Sequence, residues 1–68
     1  MTAKEWINAF AVVLGAEAPD DATVEQLLAL AGAAAHASER TAAPIACWLV
    51  GRAGVDPAVA LEQAQLVG

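Results

Sequence analysis

Apolar side chains recur at intervals of three and four through most of this chain, and short polar breaks interrupt them. That spacing places them along one side of successive α-helices. The first run sets Ala3, Trp6, Ile7, Phe10, Val13 and Leu14 on one stripe, opposite Lys4, Glu5 and Asn8, with Val12 near the polar side. Thr2 stands three residues before Glu5, the spacing of a capping box, and Gly15 supplies a C-terminal stop. A polar link holding Pro19, Asp20 and Asp21 follows. The second helix is expected to start after Thr23, with Gln26 completing another capping box. Its inward stripe would be Val24, Leu27, Leu28, Ala31 and Ala35, flanked by Leu30 and Ala34, and it should fade near Glu39 or Arg40.

Thr41, Ala42 and Ala43 form the next break, and Pro44 fits the first turn of a third helix, where its missing N–H costs nothing. From Ile45 to Val50 every residue is apolar, the pattern of a helix that is central or lies at an interface. Gly51 or Gly54 ends it, with Arg52 near the negative end of the helix dipole. Asp56 and then Pro57 give an N-cap followed by proline at the first helical position. The fourth helix should run to about Val67, with Pro57, Ala60, Leu61 and Ala64 on one face and Val59 and Leu66 beside it. No segment alternates apolar and polar residues over a strand's length. The pattern predicts a single all-α domain over residues 1–68, a compact bundle of four short helices with short loops.

Composition changes one part of this picture. Apolar residues make up 59% of the 68 positions, alanine alone supplies more than a quarter, and Trp6, Phe10 and Trp48 are the only aromatics. Alanine favours helices but gives few large anchors, and small domains bury little surface for the chain they must order. Val12, Trp48, Val50, Val59 and Leu66 therefore compete for a limited interior. Some should stay outside as an apolar patch, to be covered by a protein partner or by a second copy in a homodimer.

Charge restricts the partners. Eight acids against three bases (Lys4, Arg40, Arg52) leave a net charge of -5. That repels nucleic acid phosphates and anionic membrane surfaces. The longest stretch without a charge, Gln26 to Ser38, carries polar residues and falls short of the ~20 apolar residues a spanning helix needs. Glu5 offsets Lys4, and Trp6 and Asn8 interrupt the apolar run after it, so the N-terminus is not read as a secretory leader. Cys47 is the only cysteine, which excludes an internal disulfide and makes a reducing, cytoplasmic compartment the expectation.

The candidate chemistry is sparse. One histidine and one cysteine do not close a structural zinc site, no carboxylate is placed near both, and no metal or other cofactor is expected. Cys47 sits in the most apolar segment, where burial keeps a thiol protonated and inert. The glycines are scattered, and no glycine-rich turn leads into a lysine as in a phosphate loop. Asp20 and Asp21 precede a helix, where acids favour the dipole rather than catalysis. An acyl carrier protein shares the size and charge, but Ser38, flanked by Ala37 and Glu39, lacks the surrounding motif. One polar constellation remains. His36 and Arg40 share a face if the helix continues, and Thr41 leads to the next helix start. Together they could hold a small anion, a nucleotide or a pterin. The ordinary reading is that Arg40 caps carbonyls or pairs with Glu39.

The segment Ala34-Ala35-His36, Arg40, Ala42-Ala43-Pro44-Ile45 and Leu49-Val50-Gly51 resembles the signature of a small bacterial helical domain of unknown function. Glu5-Trp6-Ile7 and the run from Val24 through Leu27, Leu28, Leu30 and Ala31 fit the same pattern, while Thr41 and Ala33 depart from it. That domain occurs alone or fused behind molybdopterin-guanine dinucleotide biosynthesis protein A, the molybdenum cofactor guanylyltransferase. The resemblance implies an accessory module near molybdenum cofactor assembly, with that enzyme as a partner and no catalytic residues of its own. The expected function is a non-catalytic interaction module; the alternative is an anion-binding or nucleotide/pterin-binding module using His36, Arg40 and Thr41.

Overall fold

Helix boundaries in this chain are set where a side chain can take up an otherwise unpartnered backbone N–H. In the computed structural model, which describes residues 1–67, the Thr2 hydroxyl accepts from the Glu5 N–H at 3.1 Å and the Glu5 carboxylate accepts from the Thr2 N–H at 2.8 Å. This reciprocal box opens α1 (Ala3–Leu14), and Gly15, at φ 72°, closes it in a left-handed conformation that glycine adopts without strain. Gly68, the last residue of the expected domain, lies outside the described residues.

The helix α2 (Asp21–Ala37) begins earlier than its sequence suggests. Asp20, not Thr23, is the N-cap; its carboxylate accepts from the Thr23 N–H at 2.8 Å, which places Thr23 inside the first turn. Both residues are good caps, and the chain uses the one nearer the proline-containing link. At the other end α2 stops at Ala37, short of Glu39 and Arg40, because Ser38 leaves helical geometry at φ -141°, ψ -100°. The helix α3 (Ala42–Ala53) carries Pro44 in its first turn and ends on Gly54 (φ 69°) rather than Gly51. Asp56 accepts from the Ala58 N–H at 2.8 Å and opens α4 (Pro57–Ala64), which ends before Val67, residues 65–67 continuing as turns. No strand occurs among the described residues, and the fold is a small all-α bundle.

The central element is α2, against which both α3 and α4 pack; α1 makes no comparable packing with any other helix. Leu30, at 3% exposure, is the most deeply buried apolar side chain, and Ala11 and Ala60 are the other buried ones among the described residues. Beside Leu30 lie half-buried small residues, Ala34 on α2 and Ala42 and Ala46 on α3. The Cys47 thiol bridges the α2–α3 junction, donating weakly to the Leu27 carbonyl at 3.9 Å.

Besides Leu28 of the expected α2 stripe, which is 66% exposed, two expectations of burial are overturned. The first is the stripe of α1. Trp6, Phe10, Val13 and Leu14 are all exposed, because α1 approaches only the start of α2. The contacts there are a solvent-exposed ion pair, Lys4 Nζ to Asp21 Oδ1 at 3.2 Å, and a gap of about 270 Å³ bordered by Ile7, Val24 and Leu28 that α1 does not seal. The second is a central place for α3, one of the two that its pattern allowed. The helix turns Ala42, Ala43, Ala46, Cys47 and Val50 inward and Ile45, Trp48 and Leu49 outward, so it lies at the edge of the bundle rather than its centre. Neither tryptophan belongs to the core. No described helix is long and apolar enough to cross a membrane.

Because Leu30 is the one large apolar side chain buried among the described residues, its truncation removes contacts that nothing nearby replaces. Leu30→Ala is expected to destabilise the fold by about 2–5 kcal/mol, measured by urea unfolding followed through far-ultraviolet circular dichroism. A variant as stable as the parent would mean that the bundle is not organised around this position.

Candidate functional site

The polar constellation at the end of α2 does not assemble as the sequence suggests. His36 occupies the last turn of α2, exposed, and borders a shallow hollow with Ala33, Ala37, Ala64 and Gln65. Arg40 lies beyond the end of the helix, so the four-residue register that would align it with His36 does not exist. Thr41 has helical backbone angles, φ -67° and ψ -16°, and its side chain makes no capping bond.

The N-terminus of α3 has few donors to offer. The Ala42 N–H donates to the Glu39 carbonyl at 2.9 Å and the Ala43 N–H to the Arg40 carbonyl at 3.2 Å. Pro44 has no N–H at all. An anion arriving at this terminus meets groups already satisfied by the turn.

Other candidate chemistry is equally dispersed. No three of the His, Cys, Asp and Glu side chains converge as metal ligands would among the described residues. Two carboxyls are held below their ordinary ionisation range, and both are helix caps. For Glu5 the cause is the hydrogen bond from the Thr2 backbone, then that of the Thr2 side chain. For Asp20 it is hydrogen bonding from the Thr23 side chain and backbone.

The concave surface is apolar. A hollow of about 500 Å³ lies between α2, α3 and α4, with Leu30, Leu49, Val50 and Val55 on its walls and Ser38 and Gln63 as its polar side chains. Ligand pockets fix orientation with convergent polar groups, and two neutral side chains give little of that.

The residues singled out as an interface are distributed over three helices. Val12 on α1, Trp48 on α3, Val59 on α4 and Leu66 just beyond α4 are exposed, whereas Val50 is half-buried and lines the hollow. Trp48 does not stand alone: Ile45 shares its face at 60% exposure, and Leu49, 55% exposed, lies between that face and the hollow. On α1 the Trp6 and Phe10 rings lie against each other, with centroids 5.0 Å apart, and Val13 extends the same stripe. Sequence reasoning missed Ile45 and Leu49 as surface residues because α3 is apolar all round, so periodicity does not choose the outward side.

Over residues 1–66 the sequence matches the profile of a domain of unknown function, DUF6457. The chain belongs to this family. No curated protein and no solved structure matches it.

Two outcomes follow for this DUF6457 domain. Both capping carboxylates ionise below their unfolded values, so the stability they contribute is complete above the ordinary carboxylate range and is lost as pH falls through their folded values. Helical circular dichroism should hold steady from neutrality to mild acid and decline below that range. Glu5→Gln, which retains the capping geometry, should show a smaller decline; an unchanged acid profile would remove Glu5 from its cause. At the other end of α2, titration with phosphate or molybdate should give no saturable shift of the His36 ring resonances in nuclear magnetic resonance, since the nearby N–H groups are committed. A saturable shift abolished by Arg40→Ala would restore the anion site.

Proposed function

We propose that this domain is a non-catalytic helical interaction module that works by presenting apolar surface to another polypeptide. The observation that supports this most is the disposition of its large side chains: those of α1, the outer face of α3 and the end of α4 remain in solvent around a core built on Leu30. Exposed apolar groups on this scale mark contact surfaces in soluble proteins. The net charge of -5 favours a protein partner over nucleic acid or an anionic membrane, and the lone Cys47 fits a reducing cytoplasm. The resemblance of the His36-to-Gly51 segment to a module found fused behind molybdenum cofactor guanylyltransferase makes that enzyme the partner to test, and molybdenum cofactor assembly the setting.

The reading of His36, Arg40 and Thr41 as an anion or pterin site has less support, because α2 ends between the first two and the donors of α3 are occupied. The interaction reading is tested at the C-terminal end, where Val59 on α4 and Leu66 just beyond it are exposed. Calorimetric titration of the domain with the guanylyltransferase should show saturable binding. Val59→Glu combined with Leu66→Glu should weaken it by about tenfold or more, a difference of roughly 1.4 kcal/mol, without loss of helicity. A well-folded domain that releases no binding heat, and does not comigrate with the enzyme, would exclude this partner.

A further inference from the structure

We infer that a second copy of this chain covers α1 and α3, in a two-fold dimer that buries Trp6, Phe10 and Val13 together with Ile45, Trp48 and Leu49. The inference rests on the interaction-module reading and adds to it the identity of one occupant and the surface it takes.

The first argument is area. A folded monomer of 6.9 kDa presents about 4,000 Å² of surface. This chain presents 5265 Å², an excess of about 1,300 Å² over that scaling. A standard interface removes about 800 Å² from each partner, and obligate dimers remove about 1,000 Å² or more. The surplus is therefore the size that one protomer brings to an obligate dimer. It is also carried by the right residues: Trp6, Val13, Ile45, Trp48 and Leu49 are each more than half exposed, on two helices whose other sides already face α2 or the link.

The second argument is availability. The core of Ala11, Leu30 and Ala60 is small for a chain of this length, so the surplus surface burdens the protein whenever it is folded. A covering partner must then be present at equal concentration at all times. A second copy meets that condition by its own synthesis.

The third argument is charge. Two chains of net charge -5 repel unless their contact avoids carboxylates. From Arg40 through Val55 there is no acid, and this stretch carries two of the three cations, Arg40 and Arg52. The outer face of α3 is thus where an acidic copy can approach with least like-charge repulsion, and Arg52 continues the Ile45–Trp48–Leu49 face by one turn.

Sedimentation equilibrium of the full chain should return twice the chain mass from low micromolar concentration upward. The thermal midpoint should rise with protein concentration, as it does for any fold stabilised by association. Trp48→Glu and, separately, Phe10→Glu should weaken the dimer by about a hundredfold or more. Should a variant fail to fold, dilution of the wild-type protein supplies the same information: tryptophan emission should move to longer wavelength as Trp6 and Trp48 are uncovered. A helical wild-type protein with the mass of one chain at every concentration, and a constant thermal midpoint, would overturn the second copy and leave the guanylyltransferase titration to judge the module reading separately. Dimerisation of both glutamate variants with wild-type strength would overturn the surface assigned here.

Discussion

The contact on which this structure depends is the packing of alanine-faced helices around Leu30. Small side chains let α3 and α4 come close to α2, but each contributes little buried area. At about 25 cal/mol per Å² of apolar surface removed from water, a methyl group offsets only part of the roughly 1–2 kcal/mol needed to order its backbone. The large side chains that would ordinarily close the difference are on the outward faces of α1 and α3. Nearly every other feature of the molecule, from its excess surface to its open hollow, follows from that division between small residues inside and large ones outside.

Local interactions settle where the helices are, and they do so independently of the core. Capping bonds at Thr2, Asp20 and Asp56 and left-handed glycines at 15 and 54 each act within one turn. They fix α1 as a helix without fixing its place. A 12-residue helix is marginal in isolation, and an exposed ion pair such as Lys4–Asp21 contributes about 0–1 kcal/mol. The position of α1 is thus the part of the architecture least determined by the chain itself.

This separation explains what could be read from the sequence. Helix number, type and most ends were legible because caps and period are written in neighbouring residues. The start of α2 was not, since Asp20 and Thr23 are both competent caps and only the folded link chooses between them. Burial was legible least of all. On α2 the spacing puts Leu28 in the inward stripe and Leu30 beside it, and the structure reverses the two, because α3 and α4 pack on the Leu30 side. On α3 both sides are apolar, so the outward face of Ile45, Trp48 and Leu49 is set entirely by tertiary contacts. The helical register of the polar residues was not legible for a comparable reason: aligning His36 and Arg40 on one face required three more residues of helix, and Ser38, a residue type that competes for its own backbone bonds, ends it first.

If the exposed apolar faces are the recognition surface, as proposed, function and stability are tied together. Ligand sites are commonly built on a scaffold that is stable without the ligand, whereas here the surface available for recognition is the same surface that the fold leaves uncovered. Any partner that binds the folded chain and not the unfolded one adds stability in proportion to the logarithm of its concentration over its dissociation constant. For a bundle whose interior is a leucine and a layer of alanines, that addition is comparable with what the chain supplies alone. On the interaction reading proposed above, covering the apolar faces and holding the helices together are two descriptions of one equilibrium, and specificity would come from a partner that fits the faces that complete the fold.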